Sequence, residues 1–372
     1  MSVCLRLHPY RLPLRRPWHS ARQRIDERRG WLVAADHGGL CGYGDCAPLP
    51  EAGTETPTSA LNRLRHWCRR ARQAPAQALL DALAAQWPSP APAADAAVEC
   101  ALLDLAARRA GVTLRRLLAE LPPSSPALPI PTGADFGRIG VNAMAGAAAT
   151  ATDAAVDAAV AAGFRVIKLK LGIADRGTEL GRVAELLERL PVGTSLRLDA
   201  NGAWRADEAR TAVAALVELD AGSGRVESLE EPLRAPDEDV LAALQDAAPF
   251  ALALDESLAR NGSMDPDRLP VRRLVLKPAA IGGLRATLDL ARRAHAAGRE
   301  TVLTGVVESA AGLWATAQLA AATGSPLAHG LGTAGWLAED LGEAPAAVDG
   351  WIGLPAVAGS GFEPWFGLGR PD

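Results

Sequence analysis

From about residue 139 onward, the sequence repeats one unit, a short apolar run followed by a longer segment rich in Ala, Leu and Arg. Apolar runs of this kind are typical of buried strands, and the longer segments have helical periodicity. Strands alternating with helices predict a parallel sheet, and no glycine-rich phosphate-binding motif follows the first strand. The sequence therefore predicts a (β/α)8 barrel rather than an open doubly wound sheet. The candidate strands are residues 140–144, 165–170, 195–199, 226–230, 250–255, 273–277, 301–304 and 327–330.

The N-terminal region has a different pattern, with short strand candidates first and helix candidates after them. Strands followed by helices predict a separate small α+β domain. The candidates are strands 3–7, 31–35 and 40–46 and helices 58–73, 76–86 and 93–110. We predict a capping domain over residues 1–125 and the barrel over 126–345. The last segment, residues 346–372, has Gly, Pro and Trp without helical periodicity, and we expect it to return to the cap.

Composition and charge exclude several classes of protein. The 39 Lys and Arg residues nearly balance 43 Asp and Glu, so a nucleic-acid partner has no electrostatic support. The most apolar stretch, residues 141–164, contains Asp153 and Asp157 and is too polar for a membrane span. Residues 1–20 carry arginines without the apolar centre of a signal peptide, and the five cysteines show no CxxC spacing. We therefore expect a cytoplasmic protein with reduced thiols and no membrane partner.

Three successive strand candidates end in a carboxylate, namely Asp199, Glu230 and Asp255. The carboxyl ends of barrel strands meet at one mouth, so we expect these side chains to lie close together. Three carboxylates repel one another unless a hard cation neutralises them. An all-oxygen set without His or Cys favours Mg²⁺, with Mn²⁺ as an alternative, over zinc.

Lysines flank the three carboxylates on the neighbouring strands. Lys168 and Lys170 stand at i and i+2, on the same face of the preceding strand, and Lys277 ends the strand that follows Asp255. A partly desolvated lysine near other cations can act as a base close to neutral pH. A metal and lysines at one mouth predict removal of a proton α to the carboxylate of a small-molecule substrate, with the cation stabilising the enediolate.

Five motifs at these strand ends, together with the cap segment 42–50, resemble the enolase superfamily in its muconate-lactonizing subgroup, over nearly the whole chain. The resemblance implies that Asp199, Glu230 and Asp255 bind the metal. It also implies that Lys170 is the base, that Lys168 tunes the pKa of Lys170, and that Lys277 faces the opposite side of the substrate. The motifs are Val166-Ile167-Lys168-Leu169-Lys170, Leu198-Asp199-Ala200-Asn201, Leu229-Glu230-Glu231-Pro232, Asp255-Glu256-Ser257 and Leu276-Lys277-Pro278.

Within that superfamily the chain resembles the o-succinylbenzoate synthase family of menaquinone biosynthesis. The seventh strand lacks the His of a mandelate-racemase-like site, and the eighth lacks the Asp-x-Asp of a dipeptide epimerase. The resemblance implies a lyase that eliminates water from a succinyl-hydroxycyclohexadiene carboxylate. The motifs are Tyr10-Arg11-Leu12-Pro13, Pro48-Leu49-Pro50, Glu55-Thr56, Val307-Glu308-Ser309 and Gly330-Leu331-Gly332-Thr333.

The resemblance also places Thr304, Gly330, Arg197 and Asn201 near the substrate, although Arg197 is equally well explained by a structural salt bridge. The arginine-rich residues 22–29 are predicted as a loop that either closes over the site or is solvated. An N-acyl (N-succinyl) amino acid racemase, a dipeptide epimerase or a muconate cycloisomerase remains the alternative activity. A barrel that binds a carboxylated ligand without turnover is the alternative outside catalysis, and the oligomeric state, a homo-oligomer included, stays open.

Overall fold

The structure is a computed structural model that describes residues 3–19, 24–122, 137–260, 265–266 and 268–365 of the 372-residue chain. The N-terminal domain is an antiparallel sheet of three strands covered by helices, as predicted. Its elements are β1 (Cys4–His19), β2 (Arg24–His37), β3 (Leu40–Cys46), the 3-10 turn Pro50–Ala52, α1 (Pro57–Ala71), α2 (Ala76–Ala84), α3 (Pro92–Ala110) and α4 (Leu114–Ala119).

Helix α3 packs directly on β3 and is buried on nearly all sides. This close approach requires glycines on the strand. A Cβ at Gly42 would collide with the main chain of α3 at Leu105, and one at Gly44 would collide with Ala97. The small residues of β3 therefore set the distance between the sheet and its central helix.

The first two strands of the cap are much longer than the predicted segments 3–7 and 31–35. The stretch 22–29, predicted as a loop, lies outside the described residues at 22 and 23 and belongs to β2 from Arg24 onward. Leu12 of β1 pairs with Arg28, and Pro13 pairs with Glu27. The charged residues of this stretch do not predict a strand. They form one because cross-strand pairing with β1 overrides their local conformational preference.

Residues 137–323 form the predicted alternation of strands and helices. Seven parallel strands follow one another around the barrel in the order β5 to β11, each hydrogen-bonded to the next. The strands are β4 (Arg138–Gly140), β5 (Ala143–Ala147), β6 (Val166–Lys170), β7 (Ser195–Asp199), β8 (Val226–Glu230), β9 (Ala251–Leu254), β10 (Arg273–Leu276) and β11 (Glu300–Leu303). The helices are the 3-10 turn Ala148–Thr150, α5 (Asp153–Ala161), α6 (Arg176–Arg189), α7 (Ala206–Asp220), α8 (Glu238–Ala247), α9 (Glu256–Arg260), α10 (Pro278–Ile281), α11 (Leu284–Ala296) and α12 (Ala310–Thr323).

The eighth strand, predicted over 327–330, is reduced to two residues that bridge its neighbours. The N–H of His329 donates to the Gly140 carbonyl at 2.8 Å, and the N–H of Gly330 donates to the Leu303 carbonyl at 2.8 Å. The Leu303 N–H donates instead to Nδ1 of the buried His329 ring at 3.0 Å. Because an imidazole replaces a main-chain acceptor, the barrel closes here without a regular strand.

The C-terminal segment first pairs beside the barrel and then reaches the cap. Strands β12 (Ala347–Val348) and β13 (Trp351–Gly353) form a small sheet with β4. Further on, the N–H of Leu114 donates to the Gly359 carbonyl at 2.7 Å, and the rings of Tyr43 and Phe362 meet edge to face. The predicted domain boundary at 125 and 126 lies outside the described residues and stays a prediction. None of the helices in the described ranges is long and apolar enough to cross a membrane.

Asp104 on α3 ties the C-terminal segment to the cap, and its removal is expected to destabilise the protein strongly. Its carboxylate is fully buried and accepts from the Tyr43 N–H at 2.9 Å, the Ser360 N–H at 2.5 Å and Arg108 Nε at 3.1 Å. Asp104→Ala leaves these donors unpaired, so we expect the free energy of unfolding in urea to fall by about 3–5 kcal/mol.

The matched control is Glu363→Ala, which removes the exposed second carboxylate bound to Arg108. An exposed ion pair contributes about 0–1 kcal/mol, so this variant should unfold close to the wild type. Equal losses in the two variants would contradict the assignment of Asp104 as the main anchor of the segment.

Candidate active site

The register of the barrel sheet places the predicted site residues together at the carboxyl ends of the strands. Lys170 on β6 pairs with Asp199 on β7, which in turn pairs with Glu230 on β8. Asp255 directly follows β9, and Lys277 directly follows β10. The carboxyl ends of parallel barrel strands converge, and all five side chains line one pocket. Lys168, Arg197, Asn201, Thr304 and Gly330 line the same pocket, so the structure brings together every site residue that the sequence singled out.

The three lysines differ in their partners. Lys168 Nζ lies 3.0 Å from Asp199 Oδ2 and donates to Glu230. Lys277 Nζ lies 2.7 and 2.8 Å from the two carboxylate oxygens of Asp255. Lys170 Nζ instead donates to the side-chain oxygen of Asn201 at 3.2 Å. Among these contacts, two of the lysines are bound to carboxylates, and the third donates to a neutral amide.

The partners and the burial together separate the pKa values of the lysines. Burial lowers the pKa of Lys170, the charge of Asp199 opposes the shift, and the positive charges of Lys168 and Lys277 add to it. Burial also disfavours the charged form of Lys168 and of Lys277, but the carboxylates beside them outweigh it and raise both pKa values. Lys170 is thus the lysine from which a proton is most easily lost.

The three carboxylates have the donor chemistry of a site for a hard divalent cation. Asp199, Glu230 and Asp255 are buried side by side and offer only oxygen ligands. Within the described residues Asp255 Oδ1 makes no hydrogen bond, although Lys277 Nζ lies 2.7 Å away. No group of three His, Cys, Asp or Glu side chains in the described ranges is arranged to hold an ion. Lys168 and Lys277 contact the three carboxylates instead. The oxygen donors of these three side chains suit the predicted Mg²⁺. Binding of the ion requires the carboxylates to exchange their lysine partners for the metal.

The other predicted residues have structural partners as well. Asn201, with a φ of 47°, donates from its main chain to Asp199 at 2.9 Å and so connects that carboxylate to Lys170. Arg197 is buried in an ion pair with Glu227 at 2.9 Å, which is the structural alternative that the sequence left open. Thr304 donates to the Gly330 carbonyl at 2.9 Å at the closure of the barrel.

Sequence reasoning missed several side chains of the pocket. Glu256 lies 3.9 Å from Lys277 and 3.5 Å from Asn201, and Trp336 lines the wall formed after the eighth strand segment. Glu231 is buried and accepts from the main-chain N–H of Asp255 at 2.6 Å, which orients that carboxylate. Glu256 and Glu231 each follow a predicted ligand directly, and this adjacency was the available signal.

The rarity of lysine was a stronger signal that remained unused. Of the 39 Lys and Arg residues in the chain, only Lys168, Lys170 and Lys277 are lysines, and all three line the pocket. Arginine serves everywhere else, and a guanidinium cannot lose its proton in a protein. The three lysines therefore stand only at the pocket, where an amine that can be deprotonated or a compact ammonium has a chemical use.

Comparisons with known proteins agree with the fold and the site. Residues 151–365 match the family model described as enolase C-terminal domain-like, and residues 4–104 match the MenC N-terminal domain. The first match spans more than half of the chain, and the protein belongs to the enolase superfamily. This result confirms the family that the strand-end motifs indicated.

The relatives with curated names include several o-succinylbenzoate synthases. The enzyme of Proteus mirabilis is 26% identical over 325 residues, and that of Yersinia pseudotuberculosis is 29% identical over 318; each match covers 85% of both chains. The enzyme of Mycolicibacterium smegmatis is 36% identical over 207 residues, which cover 52% of this chain and 59% of that protein. At this similarity the protein is an enzyme of the enolase superfamily that resembles these synthases.

Solved structures of the same superfamily have the same architecture. The L-Ala-D/L-Glu epimerase of Bacillus subtilis superposes with a TM-score of 0.82 at 22% identity, covering 97% of this chain and 98% of that one. The muconate lactonizing enzyme of Pseudomonas fluorescens gives 0.79 at 23%, covering 98% and 96%. The dipeptide epimerase of Enterococcus faecalis, solved with Mg and a dipeptide, gives 0.80 at 22%, covering 97% and 99%. These matches confirm the barrel with its capping domain.

The scarcity of lysine allows the three amines to be titrated individually. In metal-free protein labelled with ¹⁵Nζ-lysine, we expect three side-chain NMR signals. One should titrate below the ordinary lysine pKa of about 10.4 because of burial and its charged neighbours, and two should titrate above it. Lys170→Ala should remove the low-pKa signal. If the low-pKa signal persisted in Lys170→Ala, the assignment of the lowered pKa to Lys170 would be contradicted.

Proposed function

We propose that the protein is a Mg²⁺-dependent dehydratase that forms o-succinylbenzoate from a succinyl-hydroxycyclohexadiene carboxylate. Three findings support the proposal, namely membership of the enolase superfamily, the similarity to o-succinylbenzoate synthases and the buried carboxylates beside the lysines. The reaction would belong to menaquinone biosynthesis and would take place in the cytoplasm. The substrate is a small carboxylate, in keeping with a pocket that carries several buried charges.

One observation carries the proposal: two lysines with opposite pKa shifts flank the strands that bear the three carboxylates. Lys170 lies on β6 and Lys277 follows β10, while β7, β8 and β9 lie between them in the sheet. A substrate carboxylate seated over the central strands would have one lysine on each side of its α carbon. This geometry suits abstraction of an α proton.

The chemistry then follows from the chain's own residues. Lys170 in its amine form accepts the α proton, so that the C–H bond breaks and an N–H bond forms. The resulting ammonium donates this proton to the departing hydroxyl on the same face. The electron pair of the former C–H bond forms the new C=C bond of the ring as the C–O bond breaks, and water leaves. Lys168 stays charged and keeps the pKa of Lys170 low, and the burial of the pocket strengthens each of these interactions.

Asp199, Glu230 and Asp255 would hold the metal. When bound, Mg²⁺ supplies a positive charge that binds the substrate carboxylate and stabilises the negative charge that develops on it. Lys277 remains an ammonium because carboxylates raise its pKa, so it is suited to electrostatic or cation–π stabilisation of the ring. We propose that Thr304, Gly330 and Asn201 contact the substrate. Arg197 is paired with Glu227 at 2.9 Å and lies 3.8 Å from Glu230, and we propose that it also holds Glu230 in place.

The first experiment follows the aromatic product by ultraviolet absorbance with and without Mg²⁺. We expect turnover that requires the metal and is abolished by a chelator. Lys170→Ala should lower kcat by about 10²–10⁴-fold, because a general base contributes that much to proton transfer. Folded, metal-loaded wild-type protein that gives a flat absorbance trace would contradict the proposal. Metal-loaded protein that binds a carboxylated ligand without any turnover would indicate the non-catalytic alternative.

A racemase or epimerase of N-acylated amino acids is the second candidate, because paired lysines on opposite sides of an α carbon also serve proton exchange. The two activities are separated by NMR in D₂O. Deuterium incorporation at the α carbon of N-succinyl amino acids that runs faster than dehydration would favour the racemase. A cycloisomerase would instead act on muconate without releasing water.

Magnesium binding is tested without reference to activity, by calorimetric titration and by the rise in melting temperature that Mg²⁺ produces. Glu230→Gln should weaken Mg²⁺ binding by at least about tenfold, because removing a ligand charge lowers the affinity of an all-oxygen site. The matched control is Glu300→Gln, which changes a half-exposed carboxylate at the start of β11. Equal affinities in wild type, variant and control would show that the ion binds elsewhere.

A further inference from the structure

We infer that Arg28, on the second strand of the cap, is the positioning residue that joins the two walls of the pocket and so sets how tightly substrate binds. This inference deepens the proposed function and rests on it for its kinetic test. One wall is the cap segment after β3, which contributes Leu49 and Ala52 to the pocket. The other is the barrel loop after β11, which contributes Val306 and Val307.

The contacts of Arg28 connect these two walls directly. Its side chain is only 4% exposed, and Nε donates to the Val307 carbonyl at 3.1 Å. On the other side of the guanidinium, Nη2 donates to the Ala47 carbonyl at 2.6 Å and Nη1 lies 3.4 Å from the Pro48 carbonyl. One planar, rigid group thus binds main-chain oxygens on both sides of the junction, which an ammonium cannot do with the same geometry.

The barrel wall needs such support because its backbone is strained. Val307 has a φ of 60°, in the left-handed region that a β-branched residue rarely adopts. Such a conformation persists only where the surroundings over-determine it. Here Glu308 accepts from the Val306 N–H at 2.8 Å, Asp45 of the cap accepts from the Ser309 N–H at 2.7 Å, and Arg28 binds the Val307 carbonyl between them.

Charge and packing at the junction are consistent with this role. Asp45 and Glu308 are buried carboxyl groups at this junction, and burial raises the pKa of each while the positive charge of Arg28 opposes that rise. Leu49 of the cap wall and Val306 of the barrel wall belong to a small apolar cluster with Ala279, separate from the main hydrophobic clusters of the protein. The cluster is small, so the hydrogen bonds of Arg28 are needed to hold the walls in register.

The kinetic test compares Arg28→Lys with Arg6→Met. Arg6 lies on the first strand of the same hairpin and forms an ion pair with Asp36 at 2.8 Å, so its loss tests damage to the cap alone. In the dehydratase assay, we expect Arg28→Lys to raise KM by about 10–100-fold with kcat within threefold, because displacement of a binding wall weakens substrate binding. Arg6→Met should leave both constants within about twofold. Unchanged KM in Arg28→Lys, or a loss confined to kcat, would overturn the inference.

A double-mutant cycle tests the mechanism. Glycine adopts a positive φ without strain, so Val307→Gly removes the need for support. We expect Arg28→Lys to raise KM by less than about threefold in the Val307→Gly background. An effect of equal size in both backgrounds would show that Arg28 does not act through Val307.

Hydrogen exchange provides a readout that does not depend on turnover. In mass spectrometry, the peptide covering residues 304–310 should exchange faster in Arg28→Lys than in wild type or Arg6→Met. If the wild type has no dehydratase activity, the proposed function fails, and this measurement still decides the role of Arg28. Identical exchange of the peptide in all three proteins would overturn that role. If Arg28→Lys does not fold, hydrogen exchange is measured instead in Val307→Gly, which keeps Arg28. Faster exchange of residues 304–310 in Val307→Gly than in wild type would contradict the inference that Arg28 supports the left-handed conformation of Val307.

Discussion

The active-site charges depend on one another for their burial, and the rest of the barrel is arranged around them. Three carboxylates and three lysines lie largely out of water at one end of the sheet, where an isolated charge would be strongly destabilising. Lys168 and Lys277 neutralise carboxylates by direct contact, and Lys170 donates to Asn201. Burial therefore lowers the pKa of Lys170, whereas the carboxylates beside the other two lysines raise theirs.

The capping domain contributes more than a cover to this site. Its first strand is hydrogen-bonded to the segment after the eighth strand segment: the Arg15 N–H donates to the Trp336 carbonyl at 2.8 Å, and the Ala338 N–H donates to the Pro13 carbonyl at 2.8 Å. The side chain of Arg28 binds the loop after β11 through the Val307 carbonyl. The cap is therefore bonded to two loops that follow the last barrel strands. The three carboxylates and Lys170 stand on or directly after β6 to β9, so they and the loops bonded to the cap belong to different halves of the barrel.

Much of the fold could be predicted because it is encoded locally. The strands 195–199 and 226–230 were predicted with their observed bounds, since in each a short segment that contains two apolar residues ends in a carboxylate. The cap hairpin was not, because Arg24 to Arg29 are strand residues only through pairing with β1. The prediction of a regular eighth strand was wrong for a related reason. At this position the ring of His329 accepts a main-chain hydrogen bond, and no periodicity in the sequence indicates a side-chain acceptor.

The sequence by itself determined which residues meet. The alternation of strands and helices sets the barrel, and charged residues at the carboxyl ends of its strands must then converge, whatever the details of packing. Only the tertiary structure decided what each residue does there. It pairs Lys168 and Lys277 with carboxylates, places Arg197 in an ion pair with Glu227, and buries Arg28 at the junction of the two domains. Such choices depend on distances between residues far apart in the chain, and distance sets both the strength of an electrostatic interaction and the existence of a hydrogen bond.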